Sequence, residues 1–250
     1  MSFVINPYRF GATTFELASR SFTSGDYIDM GDVLDTDVWV GTTSFSIAMW
    51  VKPSSLATDQ DVFSKLSTVG DNRQFTFRVF TTGDIGAFVY NTGTSTGGYR
   101  TARSTATTVT AAAWHHVVLK VDQSFSSQAA QLDIFDFSID GTQTNSTTWL
   151  AANVLAFNGM DDTTSPVQLS GFEDASVVPF VGNMSDVRVY DKILSNAEVS
   201  NLYAGTEVAD GLVGRWITDV DDGATTLPDY STNSNDGTNN GTTYSADSPL

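Results

Sequence analysis

Residues 45 to 52 read FSIAMWVK, so that Phe45, Ile47, Met49 and Val51 alternate with Ser46, Ala48, Trp50 and Lys52 until Pro53 closes the run. A period of two sends alternate side chains to opposite faces of an extended chain, which predicts a strand with one apolar face. Similar runs follow at 61 to 66 (DVFSKL), 74 to 80 (QFTFRVF), 85 to 90 (IGAFVY), 114 to 122 (WHHVVLKVD), 131 to 140 (QLDIFDFSID), 167 to 171 (VQLSG), 184 to 191 (MSDVRVYD) and 212 to 218 (LVGRWIT). Polar, Gly-bearing turn clusters separate them: TTGD at 81 to 84, NTGTSTGG at 91 to 98, Asp140-Gly141, and NGMDDTTSP at 158 to 166. Many short strands joined by such turns predict an all-β sandwich of two antiparallel sheets, each with one face turned to a shared core.

Composition agrees with strands and turns. Hydrophobic residues make up 40% of the 250 and aromatics 12%, but charged residues only 16%, so Ser, Thr, Asn and Gly carry the polar share. Of 29 acidic residues only Glu16, Glu173, Glu198 and Glu207 are Glu; the rest are Asp, which favours turns and loop-borne cation sites. With 12 Lys plus Arg, the net charge of -17 makes nucleic acid and anionic membranes poor partners. No cysteine is present, which excludes disulfides and thiolate metal sites. The opening MSFVINPYRF lacks the basic and apolar regions of a secretion signal, and no run approaches the roughly 18 apolar residues of a membrane span. The expectation is a protein made in a cytoplasm and inserted in no membrane.

One helix interrupts the strands. Ser195 and Glu198 stand at capping-box spacing before Val199, Leu202 and Tyr203, and Gly205 is placed to stop the helix, which predicts a short helix near 195–204 packed on the sandwich. Upstream, residues 1–20 carry Phe3, Ile5, Tyr8 and Phe10, too many apolar side chains for a free arm. They predict either an extra edge strand on the same sandwich or a partner-binding arm inserted into a neighbouring subunit.

Three segments together resemble the laminin G-like and pentraxin family of concanavalin A-like jelly rolls. SFTSGDYIDM (21 to 30) with FSIAMWVKP and DVFSKL is similar to the family's opening strands. AWHHVVLKVD (113 to 122) with IDGT (139 to 142) resembles its Trp-His strand and Asp-Gly hairpin, and PFVGNMSDVRVYDKILSNAEVSNLYAG (179 to 205) its closing strand and following helix. The stretch GLVGRWITDVDDGATTLPDYSTNSNDGT (211 to 238) resembles a strand and turn that often precede such a domain; here it follows. The resemblance implies a single jelly roll over 21–250, with 211–250 packing back onto the sandwich. This segment order also resembles virion proteins of tailed phages.

The resemblance further implies a calcium site, because pentraxins hold the ion with an Asp-Asn pair and an acidic stretch before the Phe-Val-Gly strand. Asp71, Asn72, Glu173 and Asp174 stand at the matching positions, although the family's intervening glutamine is missing and Val178 replaces a further ligand. Asp26 and Asp84 are alternative rim carboxylates. Tyr99, Trp39 and Trp149 lie in or near loop-rich segments and are candidate sugar platforms, whereas Trp50 and Trp114 read as packing. The laminarinase-type hydrolases of this fold need two carboxylates about 5 Å apart on one strand face. None of the glutamates has that spacing, and Asp133, Asp136 and Asp140 do not share a face on a regular strand. His115 and His116 are adjacent and point apart, so they do not chelate one ion.

These readings predict a non-enzymatic virion surface protein of a tailed phage, decorating the capsid or associated with a fibre. Its partners would be other virion proteins and copies of itself. The alternative is a calcium-dependent, lectin-like module, extracellular in action, that binds a cell-surface glycan.

Overall fold

The computed structural model describes residues 18–40, 43–91, 98–124, 134–148, 159–172, 177–216 and 223–250. In chain order the strands are β1 (Ser19–Phe22), β2 (Tyr27–Gly31), β3 (Phe45–Pro53), β4 (Gln60–Ser67), β5 (Asn72–Val79), β6 (Ile85–Tyr90), β7 (Tyr99–Ser104), β8 (His115–Val121) and β9 (Phe135–Ile139). They continue as β10 (Thr142–Thr144), β11 (Ser146–Thr148), β12 (Val167–Leu169), β13 (Gly182–Tyr190), β14 (Leu212–Trp216), β15 (Thr226–Leu227), β16 (Gly237–Asn240) and β17 (Thr243–Ser245). The first sheet runs β10-β9-β8-β3-β13-β1-β17, with β14 also paired to β13; the second runs β11-β7-β6-β5-β4-β12-β2-β16-β15. Every pairing between these strands is antiparallel. The architecture is the all-β, two-sheet jelly-roll sandwich expected from the sequence.

Alternation decides which side chains meet between the sheets. Phe45, Ile47, Met49 and Val51 of β3 are buried in the core with Val117, Leu119 and Val121 of β8, opposite Phe75, Phe77 and Val79 of β5 and Ile85, Ala87 and Val89 of β6. Trp39 joins them from a π-helical turn over Asp35–Trp39. Its ring meets Phe45 edge-on at 4.9 Å and Phe75 at 4.8 Å, and its indole N–H donates to the Val33 carbonyl at 3.0 Å. At Gly182 of β13 the backbone passes so near β3 that a Cβ would lie 2.2 Å from the Lys52 carbonyl, which admits only glycine.

Helix α1 (Asn196–Tyr203) forms where the capping box predicts it: the Ser195 hydroxyl accepts from the Glu198 amide at 3.3 Å, and the Glu198 carboxylate accepts from the Ser195 amide at 2.8 Å. Val199 and Leu202 pack on Ala48, Val118 and Tyr190, all on the outer face of the first sheet. That face is thereby partly roofed. Among the described residues no helix is long and apolar enough to cross a membrane.

Residues 212–245 add strands to both sheets: β14 pairs with β13, β16 with β2, and β17 with β1. The turn between β15 and β16 is organised by the Asp229 carboxylate, which accepts from the amides of Arg215 (2.8 Å), Ser231 (2.8 Å) and Asn235 (2.9 Å) and from the Ser231 hydroxyl (2.8 Å). Beside it the Trp216 indole donates to the Asn235 carbonyl at 2.9 Å. Hydrogen bonds to a charged acceptor are the stronger kind, and the donors are left unpaired if it is removed. Asp229→Ala is therefore expected to cost about 3 kcal/mol in a urea unfolding curve, whereas Thr232→Ala at an exposed position nearby leaves the midpoint unmoved.

Candidate functional site

Among the described residues, no helix lies on the outer face of the second sheet over β4 to β7. Because Ile85, Ala87 and Val89 point into the core, Phe88 and Tyr90 of β6 point outward, and Tyr99 of β7 lies directly across from Tyr90. Phe88 and Tyr90 stand parallel at 5.8 Å; Tyr99 meets Phe88 at 5.8 Å and Tyr90 at 6.2 Å. Leu66, Phe172, Val177 and Val178 complete this cluster, with Phe172 and Val177 bridged to each other through their backbones. Phe88 and Tyr99 are half-buried and Tyr90 is 7% exposed. Burial raises the Tyr90 phenol above its usual range against the opposing pull of Arg73, so the hydroxyl remains a donor at neutral pH.

Ion pairs frame the rings. Arg73 lies 5.7 Å over Tyr90 and donates to Asp71 at 2.6 Å. On the same face Arg78 grips Asp61 in two hydrogen bonds of 2.6 and 2.9 Å, although Asp61 is fully buried. Arg103 rests 3.8 Å over the Phe80 ring and pairs with Asp84, one of its bonds measuring 2.7 Å.

Several residues singled out in the sequence meet here and others do not. Tyr99 lies in the aromatic cluster, and Asp71 is joined to it through Arg73 and Tyr90. Asn72 is at the same rim, but its amide donates to the Thr164 hydroxyl at 2.8 Å. Glu173 and Asp174 lie outside the described residues, as do Trp149, Asp133, Phe3, Ile5, Tyr8 and Phe10. The described half of the expected calcium site does not fit an ion as it stands, since a guanidinium already occupies the Asp71 carboxylate. No three of His, Cys, Asp and Glu are grouped to hold a metal among the described residues. Asp26 accepts from Thr23 in a turn, and Asp84 is Arg103's partner.

Trp39 requires a correction: it is 0% exposed in the centre of the core and presents no surface to a sugar. The polar residues around it in DTDVWVGTT read as a loop, while tertiary packing folds the turn inward. Phe88, Tyr90, Arg73 and Arg78 were not singled out. The available signal was IGAFVY itself, which is apolar on both faces although only one can join the core.

The histidines point apart. His115 donates from Nδ1 to Asp140 at 2.8 Å, with Nε2 accepting from the Thr110 amide at 3.1 Å. His116 is buried on the outer face of the first sheet, its ring 5.1 Å from Trp50, and Trp50 in turn stacks on Tyr203 at 5.5 Å. A cleft of about 520 Å³ is lined by Thr105, Asp140, Gln143 and Asn145, without a ring or a cation in its lining.

Two antiparallel sheets packed face to face, with α1 on the outer face of the first, define a jelly-roll sandwich. The family profile described as the concanavalin A-like lectin/glucanases superfamily matches residues 22–200, and the chain belongs to that superfamily. A Bacteroides ovatus protein provisionally described as carbohydrate binding superposes with TM-score 0.64 at 17% identity, over 94% of this chain and 61% of its own. This chain thus spans about three fifths of that protein. The IT-sialidase CBM40 of Ruminococcus gnavus, bound to α2,3-sialyllactose, superposes with TM-score 0.52 at 17% identity, over 74% of this chain and 96% of its own. At such identities the likeness is one of fold. Curated protein sequences give no match.

Two stability measurements check these assignments. Arg78→Met leaves the buried Asp61 carboxylate without its cation and is expected to cost roughly 3–5 kcal/mol in denaturant unfolding. Burial lowers the His116 imidazole to about 4, against the weaker pull of Asp186 and Asp140, so the ring is neutral in the folded chain while the unfolded chain protonates near 6.5. The unfolded state therefore binds the extra proton between these values, and stability falls as pH drops from 6.5 to 4, by at most about 1.4 kcal/mol per pH unit. His116→Phe should remove that slope from the difference between the two proteins' unfolding curves.

Proposed function

We propose that this chain is a non-catalytic glycan-binding module whose ligand lies across Phe88, Tyr90 and Tyr99 on the open face of the second sheet. The observation that carries the reading is this aromatic cluster on a strand surface, with Phe88 and Tyr99 part-exposed around the buried Tyr90 and, among the described residues, no helix over it. Sugars present C–H groups that pack on rings and hydroxyls that need hydrogen bonds, and the rings here are bordered by a phenol and by guanidinium groups. The carbohydrate-binding fold neighbours support the assignment. A non-catalytic role is supported by the placement of the described glutamates. Glu198 caps α1, bonded to Ser195 and Lys192, and Glu207 lies 3.5 Å from Arg215, so neither is half of a catalytic pair.

The finer reading places the module on the surface of a tailed-phage particle, on the capsid or a fibre, where glycan binding would serve attachment. It rests on the order of the sequence segments. Recovery of the chain at stoichiometric copy number with purified particles is the expected outcome, and its absence from them would sink this reading while leaving glycan binding untouched.

A glycan array probed in calcium and in chelator tests the binding itself. Phe88→Ala and Tyr99→Ala are each expected to weaken the best ligand roughly tenfold, about 1.4 kcal/mol, with unfolding midpoints little changed. Binding that persists in chelator assigns the affinity to the aromatic face. Binding lost in chelator would count against the aromatic face as the source of the affinity. Wild-type affinity in both alanine variants would overturn the site.

A further inference from the structure

From the charge pairing on the open face we infer that its ligand is an uncharged glycan, and that sialylated or uronate-bearing sugars are rejected. The inference rests on the glycan-binding reading above and names the class of sugar. One cation, Arg73, lies over the aromatic cluster, two more, Arg78 and Arg103, lie over Phe80 beside the same sheet, and each is already matched: Arg73 with Asp71, Arg78 with Asp61, and Arg103 with Asp84. Three guanidinium groups against three carboxylates leave the face with no net positive charge.

Among the described residues no reserve cation stands nearby. Among the other basic residues, Lys65 and Arg100 are on the same sheet but fully buried, and Arg20, Lys52, Lys120, Lys192, Arg188 and Arg215 belong to the first sheet or the chain leaving it. Of the twelve Lys and Arg residues only Arg9 falls outside the described residues. The sequence between Phe172 and Val177 is Glu-Asp-Ala-Ser and that between Asn91 and Gly98 is Thr-Gly-Thr-Ser-Thr-Gly, and neither stretch contains a Lys or Arg.

A ligand carboxylate would have to take a guanidinium from its partner. For Arg78 that strands the fully buried Asp61, the kind of loss that a surface contact in water does not offset. The whole chain, at -17, also repels an anion before contact. An uncharged sugar meets none of these costs and uses the rings and the hydrogen-bonding border as they stand. The fold neighbour bound to α2,3-sialyllactose shares the sandwich; the ligand chemistry inferred here differs.

The test is an array of matched pairs, each neutral oligosaccharide beside its sialylated or uronate-bearing counterpart, with lactose and α2,3-sialyllactose among them. Every strong binder is expected to be neutral. Addition of a carboxylate should weaken binding tenfold or more, and titrations of the neutral ligand in about 50 and about 500 mM NaCl should agree within roughly twofold. Asp71→Asn supplies a positive control. It keeps a residue that tolerates the left-handed backbone at this position (φ 53°) while freeing Arg73, and should raise the response to the acidic member of a pair about threefold or more. Acidic glycans bound as tightly as their neutral counterparts, with affinity falling steeply in salt, would overturn the inference and leave glycan binding standing. An array on which nothing binds overturns the glycan reading and this inference with it.

Discussion

A strand that turns one face to a core still has a second face, and the shared core of two sheets cannot cover it. The two sheets here resolve that constraint in different ways. On the first, the outward Ala48, Val118 and Tyr190 receive Val199 and Leu202 of α1, and Trp50 is roofed by Tyr203. On the second, the outward residues of β4 to β7 pack on one another: rings beside rings, guanidinium groups over rings, and carboxylates closing each cation. The helix therefore covers the first sheet and, among the described residues, none covers the second.

Scarcity of positive charge shapes what remains. Against 29 acids the chain has 12 basic residues, and those placed in strands are committed to structure. Asp186 holds both Arg188 and Arg215 on the outer face of the first sheet, and burial is outweighed by these cations, so its carboxyl lies below the usual range. Lys65 is fully buried and donates to Asp32 and to the Ser165 carbonyl at 2.6 Å, with Asp35 at 3.1 Å; burial and the neighbouring Asp32 push Asp35 up to about 6. Buried pairs of this kind contribute little net stability but fix register, since either partner alone would be costly to leave in place. Among the described residues, each cation on the outer face of the second sheet is likewise matched by a carboxylate.

Much of the sandwich was legible in the sequence because period-two alternation and capping chemistry are local. Phe45 to Lys52 became the central strand β3, and Ser195 with Glu198 closed the capping box, as their spacing required. The site was legible only in part. Tyr99 is in the cluster, but Arg73 shares the parity of Phe75 and Phe77, which points it at the core on a regular strand. The register shift between Lys65 and Leu66 re-aims that end of the β4–β5 pair, and Arg73 lies over Tyr90 instead. No local pattern encodes such a bulge. Trp39 failed for the complementary reason: its polar neighbours describe a surface turn, while a cavity among Phe45, Phe63 and Phe75, contributed by three distant strands, takes its ring.

The last described residues, 223–250, pose the sharper physical question, because a stretch so rich in Thr, Ser, Asn, Asp and Gly buries too little apolar surface to order itself. Its order comes from polar satisfaction on a few anchors. Leu227 reaches the core, Asp229 gathers the donors of its own turn, and Arg20 donates to the Thr242 hydroxyl at 3.0 Å and its carbonyl at 2.6 Å. With those bonds made, β16 extends the second sheet beside β2 while β17, three residues later, extends the first beside β1. One short segment thus joins both layers at the end of each sheet where β1 and β2 also cross over. Relative sliding of the layers would have to break both pairings together. The face over β4 to β7 lies on the far part of the second sheet from this tie, with β12 and β2 between them.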